Sequence, residues 1–442
     1  MQSNGGCVPA ARASREAHRL VLSGPTAGVT GTIALADRHG LDRVISFDMG
    51  GTSLDVCLVD GGVPPTASIQ VVEDHPILVP SVDIVTAGAG GGSIASVDRA
   101  GRLRVGPESA GADPGPAAYA RGGVDATLTD AHVVCGILGD ELAGGLMLDA
   151  DAAERAVAKV AEPLGLDPLA AAEGIIAVAT AHGVRALRRV SVERGLDPRG
   201  FTLVAFGGAG PLLAGRMMEE LGVAAVVVPP HPGLFSAAGL MAASLRIDDA
   251  QTVLRSLDDG LVPELLSWYR DASARLVRQL GDDGIARRRI RTVASAACRY
   301  EGQGYELELP LRTVSAAGIR GLRSAFDDRH SAMYGHADPA ADLEVVTVRL
   351  SAFGELRRHP PAEVPGGGPS PRRDAVIGHR NALVDGSRPR RVPVYARDRL
   401  RARNVIAGPA IVAEMDSTTV VRRGHRATVA PDGSLWLRGG AP

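Results

Sequence analysis

Only one lysine, Lys159, stands among the 48 basic residues of this 442-residue chain; the others are arginines. A P-loop needs a Gly-Lys-Ser/Thr ending so that its lysine reaches the β- and γ-phosphates. Lys159 instead lies in DAAERAVAKVAEPLG, where Val157, Val160 and Leu164 recur at helical spacing. P-loop chemistry is therefore excluded, and a lysine Schiff base has no candidate but a helix-face residue. Aromatics make up 3% of the chain, so its core must be built from Val, Leu, Ile and Ala. The four cysteines, Cys7, Cys57, Cys135 and Cys298, show neither metal-finger nor redox-pair spacing, and read as free thiols in a reducing compartment. Residues 1–24 lack the apolar core of a secretion signal. The most apolar stretch, Val223 to Leu245, is interrupted by Pro229, Pro230 and Pro232 and is no membrane span. A cytoplasmic location is expected, with no membrane partner. The formal net charge of -2 implies no basic field for nucleic acid.

Ala10 to Leu20 reads as a helix and SGPTAGVTG, Ser23 to Gly31, as a glycine-rich turn. Val44 to Phe47 and Asp55 to Val59 read as a β-hairpin around DMGG. Asp149 to Gly165 and Leu169 to Gly195 read as helices, with Asp149 or Asp151 as the first cap and Gly195 as the second stop. Strand Thr202–Phe206, turn Gly207–Gly210, helix Leu212–Leu221 and strand Ala224–Val228 form a unit typical of layered α/β cores. Further on, Val262 to Leu280 is helical and Arg291 to Leu309 is a strand pair around EGQG. A helix from Ala316 to Tyr334 and a strand from Val345 to Phe353 follow. Arg358 to Arg373 is Pro/Gly-rich, a linker or long loop, and the remainder is β-rich. The expected division is 1–250, 251–357 and 374–442.

Three glycine-containing segments carry candidate chemistry. In DMGGTSLDV, Asp48 closes an apolar strand, Gly50 and Gly51 turn the chain, Thr52 and Ser53 add hydroxyls, and Asp55 opens the return strand. Glycines let backbone N–H groups approach phosphate oxygens, and a strand-end carboxylate suits hydrated Mg²⁺. A plain hairpin turn is the other reading. FGGAGP, with Gly207, Gly208 and Gly210, joins a strand to a helix N-terminus, an anion or nucleotide site or simply tight packing. GAGGGS, with Gly90 and Gly91, is a further backbone surface or a loop. Asp130 and His132 in TLTDAH are either metal ligands or turn and packing residues, whereas Arg185, Arg188, Arg189 and Arg194, at helical spacing, read as a solvated or subunit-facing helix surface. No Gly-x-Ser-x-Gly elbow and no zinc-type histidine pair is present.

Together these segments resemble the hydantoinase A/oxoprolinase family. QSNGG, LSGPTAGVTG, FDMGGTSLDV, TAGAGGGSIASVD, LRVGPESAGADPGPAAY, TLTDAH, VERGLDPRGF, VAFGGAGP, HPGLFSAAGL, RYEGQGYELELP and GPAIVAEMDSTTVVRRGH follow its order from Met1 almost to Pro442. The resemblance implies an α/β, actin-like (ASKHA, ribonuclease H-like) ATPase fold without its first lobe, followed by α+β and β-rich regions. It implies ATP and Mg²⁺ as cofactors and an ATP-dependent cyclic-amide hydrolase that phosphorylates the lactam oxygen before ring opening. A hydantoinase B-type subunit is the implied partner. On this resemblance Asp48 and Asp55 are catalytic, with Asp48 on the metal, and Gly50, Gly51, Thr52 and Ser53 form the second phosphate hairpin. Gly207, Gly208 and Gly210 form the adenosine turn, and Gly90 and Gly91 join the nucleotide site.

The first phosphate hairpin of such a fold would precede Met1, so the sequence reads as a fragment, an internal start, or a split enzyme whose first lobe is another chain. Leu196 and Leu213 stand where the family usually has histidine, and Leu54 where a threonine is common. Two alternatives stay open: a subunit of an acetone- or acetophenone-type ketone carboxylase, and a non-catalytic nucleotide-binding or scaffold protein.

Overall fold

A computed structural model describes residues 1–67, 70–72, 75–77, 79–142, 145–356, 362–386 and 388–439. The chain divides into two compact units, Met1–Ser23 with Ala243–Arg358, and Gly24–Ala242 with His359–Pro442.

The larger unit is a mixed α/β structure. Its labelled elements are α1 (Ser23–His39), β1 (Arg43–Met49), β2 (Leu54–Asp60), β3 (Val85–Ala87), α2 (Leu128–Val134), α3 (Ala150–Leu164), α4 (Pro168–Val190), β4 (Thr202–Phe206), α5 (Gly210–Leu221), β5 (Ala225–Val228), α6 (Phe235–Ala242), β6 (Val405–Ala407), β7 (His425–Val429) and β8 (Leu435–Gly439). Eight strands form one sheet in the order β6-β7-β8-β5-β4-β1-β2-β3. The middle trio β5-β4-β1 is parallel; its flanks are antiparallel.

Side chains alternate between faces along a strand, and here both faces are buried. Val44, Val204, Phe206 and Val227 pack with Val29, Leu35 and Phe235 on one side. Ile45, Phe47, Leu203, Ala205 and Val226 pack with Ile175, Leu187, Leu213 and Met217 on the other. That is why strands such as TLVAF and AVVV are continuous apolar runs.

Asp149 caps α3 by accepting from the Ala152 N–H, and Gly165 ends it in a left-handed conformation. The second long helix stops at Val190, earlier than expected, and Gly195 ends the short 3₁₀ turn that follows.

Ser23–Gly31 is not a turn but the first half of α1. Its glycines serve close packing: a Cβ on Gly28 would lie 2.8 Å from the Phe206 ring, and one on Gly31 would lie 3.1 Å from the Gly239 Cα. Ala10–Leu20 is likewise not one helix; it is a turn of helix at Ala10–Ala13 and a 3₁₀ turn at Ala17–Leu20.

Two boundaries differ from the sequence division. Residues 374–442 are not separate from the first part of the chain, because β8 pairs with β5 (Val226 opposite Leu437) and closes the same sheet. Met1–Ser23 joins the smaller unit instead: Cys7 N–H donates to Ser244 O, Arg246 N–H to Cys7 O, and the Asn4 amide to Asp248. Of the expected linker, residues 358–361 lie outside the described residues. The rest is a long loop tied down by Val364 N–H to Pro431 O and Gly367 N–H to Ala402 O.

The smaller unit is a four-stranded antiparallel sheet, in the order Leu245–Ser256, Leu343–Gly354, Ile290–Tyr300, Leu307–Leu311. Helix Leu261–Asp282 contributes Leu261, Leu265, Tyr269, Leu276 and Leu280 to its core. The helix expected at Ala316–Tyr334 is split at Gly321 into Ala316–Arg320 and Leu322–Tyr334.

Candidate functional site

The C-terminal ends of β1 and β4 are adjacent, since Asp48 is in parallel register with Phe206. DMGG and FGGAGP therefore leave the sheet side by side, where the ends of parallel strands build binding crevices. Helix α5 starts there, its N-terminal amides toward the same end.

Asp48 and Asp55 are direct cross-strand partners in the β1–β2 hairpin. Like charges placed so are unfavourable. Ser236 donates to Asp48 at 3.0 Å; Thr86 and Ser53 donate to Asp55 at 2.5 and 3.3 Å. Burial pushes the Asp48 carboxyl up to about 6; the Ser236 hydroxyl opposes this and the Asp55 charge adds to it. Burial also raises Asp55, against its two hydroxyl donors. Such a pair gains from a cation.

The turn is closed by Gly50 N–H to Ser53 O at 3.0 Å. Among the described residues, the N–H groups of Gly51, Thr52 and Ser53 have no acceptor within the protein. Gly51 and Thr52 are exposed. These are donors of the kind that cradle phosphate oxygens.

Gly207 has φ 79°, and a Cβ there would fall 2.4 Å from Met49 O and 2.6 Å from Asp48 Oδ1. Its N–H donates to Pro232 O, and Ala209 N–H donates to Met49 O. The glycine turn is thus clamped onto the end of β1. A Cβ on Gly210 would lie 3.3 Å from Phe47 O, while one on Gly208 would have room, meeting only Asp416 O at 3.9 Å.

Gly90 and Gly91 are placed differently. Gly91 and Gly92 donate to the carbonyls of Gly50 and Gly51, and Gly90 donates to Ser93 Oγ. A Cβ on Gly90 would sit 2.5 Å from the Gly51 carbonyl carbon. The loop buttresses the hairpin from behind, with these N–H groups already engaged. Thr129 secures it by donating to Gly91 O through both backbone and side chain.

Asp130 completes a capping box on α2 and accepts from the amides of Ala117, Ala118 and Thr127. His132 is buried, bonded to Leu128 O, and desolvation holds its pKa down to about 4. Among the described residues, neither belongs to a three-ligand cluster. Lys159 is exposed and reaches Val124 O. Leu213 is fully buried, Leu196 packs on the edge of the same core, and Leu54 is buried in β2.

Sequence reasoning did not single out Ser236 and Thr86. Ser236 lies in HPGLFSAAGL, a segment whose pattern was visible but whose contact with Asp48 spans 188 residues.

Comparison with known proteins gives this arrangement its family. A model of the hydantoinase/oxoprolinase family matches residues 1–249, and one of the hydantoinase/oxoprolinase C-terminal domain matches residues 260–433. The chain belongs to the hydantoinase/oxoprolinase family.

It is 36% identical over 449 residues to caprolactamase subunit alpha of Pseudomonas jessenii, covering 99% of this chain and 64% of that protein. The crystal structure of the ATP-dependent caprolactamase of that organism superposes with TM-score 0.89 at 35% identity, over 100% of this chain and 65% of the other. A nucleotide-free acetone carboxylase structure superposes with TM-score 0.79 at 25% identity, over 99% and 64%. The chain thus spans just under two thirds of the length of these relatives. No single helix among the described residues is long and apolar enough to cross a membrane.

Proposed function

We propose that the larger unit is a lobe of an actin-like ATPase and handles the nucleotide of an ATP-dependent cyclic-amide hydrolase. The observation that carries this reading is the juxtaposition of the Asp48–Asp55 pair with the Gly207–Gly210 turn at the end of β1. Family membership and the likeness to an ATP-dependent caprolactamase support it.

The residues fit a magnesium nucleotide. Two opposed carboxylates need positive charge between them, and the amides of residues 51–53 need acceptors. Asp48, with Asp55 opposite, would hold Mg²⁺, which when bound neutralises charge on the phosphates. Ser236 keeps one Asp48 oxygen oriented, Thr86 and Ser53 fix Asp55, and Gly207 keeps the strand end free of side-chain atoms.

A lactam carbonyl resists water because amide resonance protects it. Transfer of a phosphoryl group to its oxygen makes that oxygen a leaving group. Overall, lactam, ATP and two waters give the open amino acid, ADP and phosphate. No protein nucleophile is needed, and the groups gathered here are those that steady transferring phosphoryl charge. A hydantoinase B-type subunit is the proposed partner for ring opening, in keeping with the subunit naming of the caprolactamase relative.

Calorimetric titration of the purified chain with MgATP tests the nucleotide reading. Mg²⁺-dependent binding, weakened at least tenfold in Asp48→Asn, is expected; equal binding by both proteins overturns it. The likeness to acetone carboxylase favours one second reading, a ketone carboxylase subunit. Phosphate release with 5-oxoproline, hydantoin and caprolactam, set against acetone with bicarbonate and each with the B-type partner, separates the two.

A further inference from the structure

Asp416 is an acid without a counterpart. It lies in the turn between strands Ala410–Ala413 and Thr418–Val421. Both of its carboxylate oxygens are buried, and neither has a hydrogen-bond partner among the described residues. Buried carboxylate oxygens ordinarily have partners, so two without one leave room for a ligand.

The buried Arg397 is not that donor. Its Nη1 goes to Glu414 at 2.7 Å, and its Nη2 goes to the carbonyls of Val228, Pro229 and Gly433 at 2.9–3.0 Å. A carboxylate has about four lone-pair sites, so the bond from Arg397 leaves Glu414 room for a further ligand.

His231 completes the cluster. One ligand atom each from His231, Glu414 and Asp416 lie within 4.8 Å of one another. His231 is exposed, and the two acids are half-buried. Glu414, Asp416 and Arg397 together carry a net charge of about -1 when ionised, which a divalent cation would reverse rather than overload.

We propose that His231, Glu414 and Asp416 form a binding site for a divalent cation of the zinc class. The donor set argues for that class: Mg²⁺ takes oxygen ligands and keeps its water, whereas an imidazole with two carboxylates suits Zn²⁺. Around tetrahedral zinc, ligand atoms sit about 3.4 Å apart. The exposed His231 ring is the arm that swings in, and the open side leaves a position for water.

The site would brace the glycine turn. Pro232, next to His231, accepts the Gly207 N–H, and the Asp416 backbone carbonyl is the nearest group to a Cβ on Gly208, at 3.9 Å. The cation would pin the 413–418 turn to the 231–234 turn that supports Gly207. The inference stands apart from the nucleotide reading, because no nucleotide enters it.

The test uses the full chain, cleared with a chelator, dialysed, and titrated with Zn²⁺ alone against a competing indicator. Wild type and Lys159→Ala, altered at an exposed helix residue outside both sites, are expected to bind one equivalent at this cluster. Asp416→Asn and His231→Gln are expected to bind at least tenfold more weakly and to lose the zinc-induced rise in Tm. Circular dichroism reports whether Asp416→Asn folds; if it does not, His231→Gln, altered at an exposed side chain, decides. Absence of stoichiometric binding by wild type overturns the proposal, as does wild-type affinity in folded Asp416→Asn or in His231→Gln.

Discussion

Asp48 and Asp55 face each other across the β1–β2 hairpin, each buried enough to raise its pKa and each held by hydroxyl donors rather than by a base. The chain carries an acid pair that it does not neutralise itself, at the point where two glycine turns converge.

The pair makes stability depend on pH in a defined direction. The Asp48 carboxyl is raised from 3.8 to about 6, so the folded protein holds this proton more tightly than the unfolded chain. The associated stability is present below pH 4 and is lost as pH rises through about 6. Asp48→Asn abolishes this titration, so it should gain on wild type by about 1–3 kcal/mol between pH 4 and 7. Urea unfolding of both proteins at the two pH values measures the gap, and MgCl₂ should narrow it at pH 7 by stabilising wild type. A gap independent of pH would remove Asp48 as the source.

Ser236→Ala deletes the hydroxyl that lowers the Asp48 pKa. The pH midpoint of Mg²⁺-dependent nucleotide binding should move upward by about half to one unit, since a hydrogen bond to an ionised group contributes roughly 1 kcal/mol or more. Calorimetric titrations from pH 5 to 8 would show it. An unmoved midpoint would mean that Asp48 does not govern binding.

Gly207→Ala and Gly208→Ala form a matched pair. At Gly207, φ is positive and the new methyl would strike Met49 O and Asp48 Oδ1; at Gly208 there is space. Gly207→Ala should cost about 1–3 kcal/mol in chemical denaturation and abolish nucleotide binding, while Gly208→Ala should change stability by under about 1 kcal/mol. Equal costs would show that the clamp on β1 is not what fixes this turn.

Leu213→His would restore the residue usual in the family that the sequence resembles. In this protein Leu213 is fully buried among α5 and its apolar neighbours. The substitution should destabilise by about 2–4 kcal/mol, because it buries an imidazole where no polar partner waits. Thermal unfolding measures this; a Tm at or above wild type would mean that a partner for the ring exists.

The parts of the fold legible in sequence are those made by neighbours in sequence. The DMGG hairpin and the strand–turn–helix–strand unit from Thr202 to Val228 announced themselves by apolar runs broken at glycines. Ser23–Gly31 misled because its glycines look like a turn when read locally; they are small for the sake of Phe206 and Gly239, both far away in sequence. Gly90 and Gly91 showed the same limit from the other side: their composition revealed a backbone surface, but not that its N–H groups are spent on Gly50, Gly51 and Ser93. Ser236 and Thr86 were invisible as partners of Asp48 and Asp55 because hydroxyls are common and only register brings them in. Asp416 stood in the quoted motif AEMDSTTVV, yet nothing local tells a solvated acid from one whose carboxylate oxygens are buried without a partner.

The late pairing of β8 with β5 has a consequence for biosynthesis. β5 ends at Val228, and its neighbour in the sheet begins only at Leu435, roughly two hundred residues later. At about 5–20 residues per second the ribosome takes about 10–40 s to supply it. Throughout that interval the nascent chain displays a bare, wholly apolar edge strand, AVVV, of the kind that recruits foreign strands. Yield in the cell should therefore depend on what shields that edge during translation, as well as on the stability of the finished sheet.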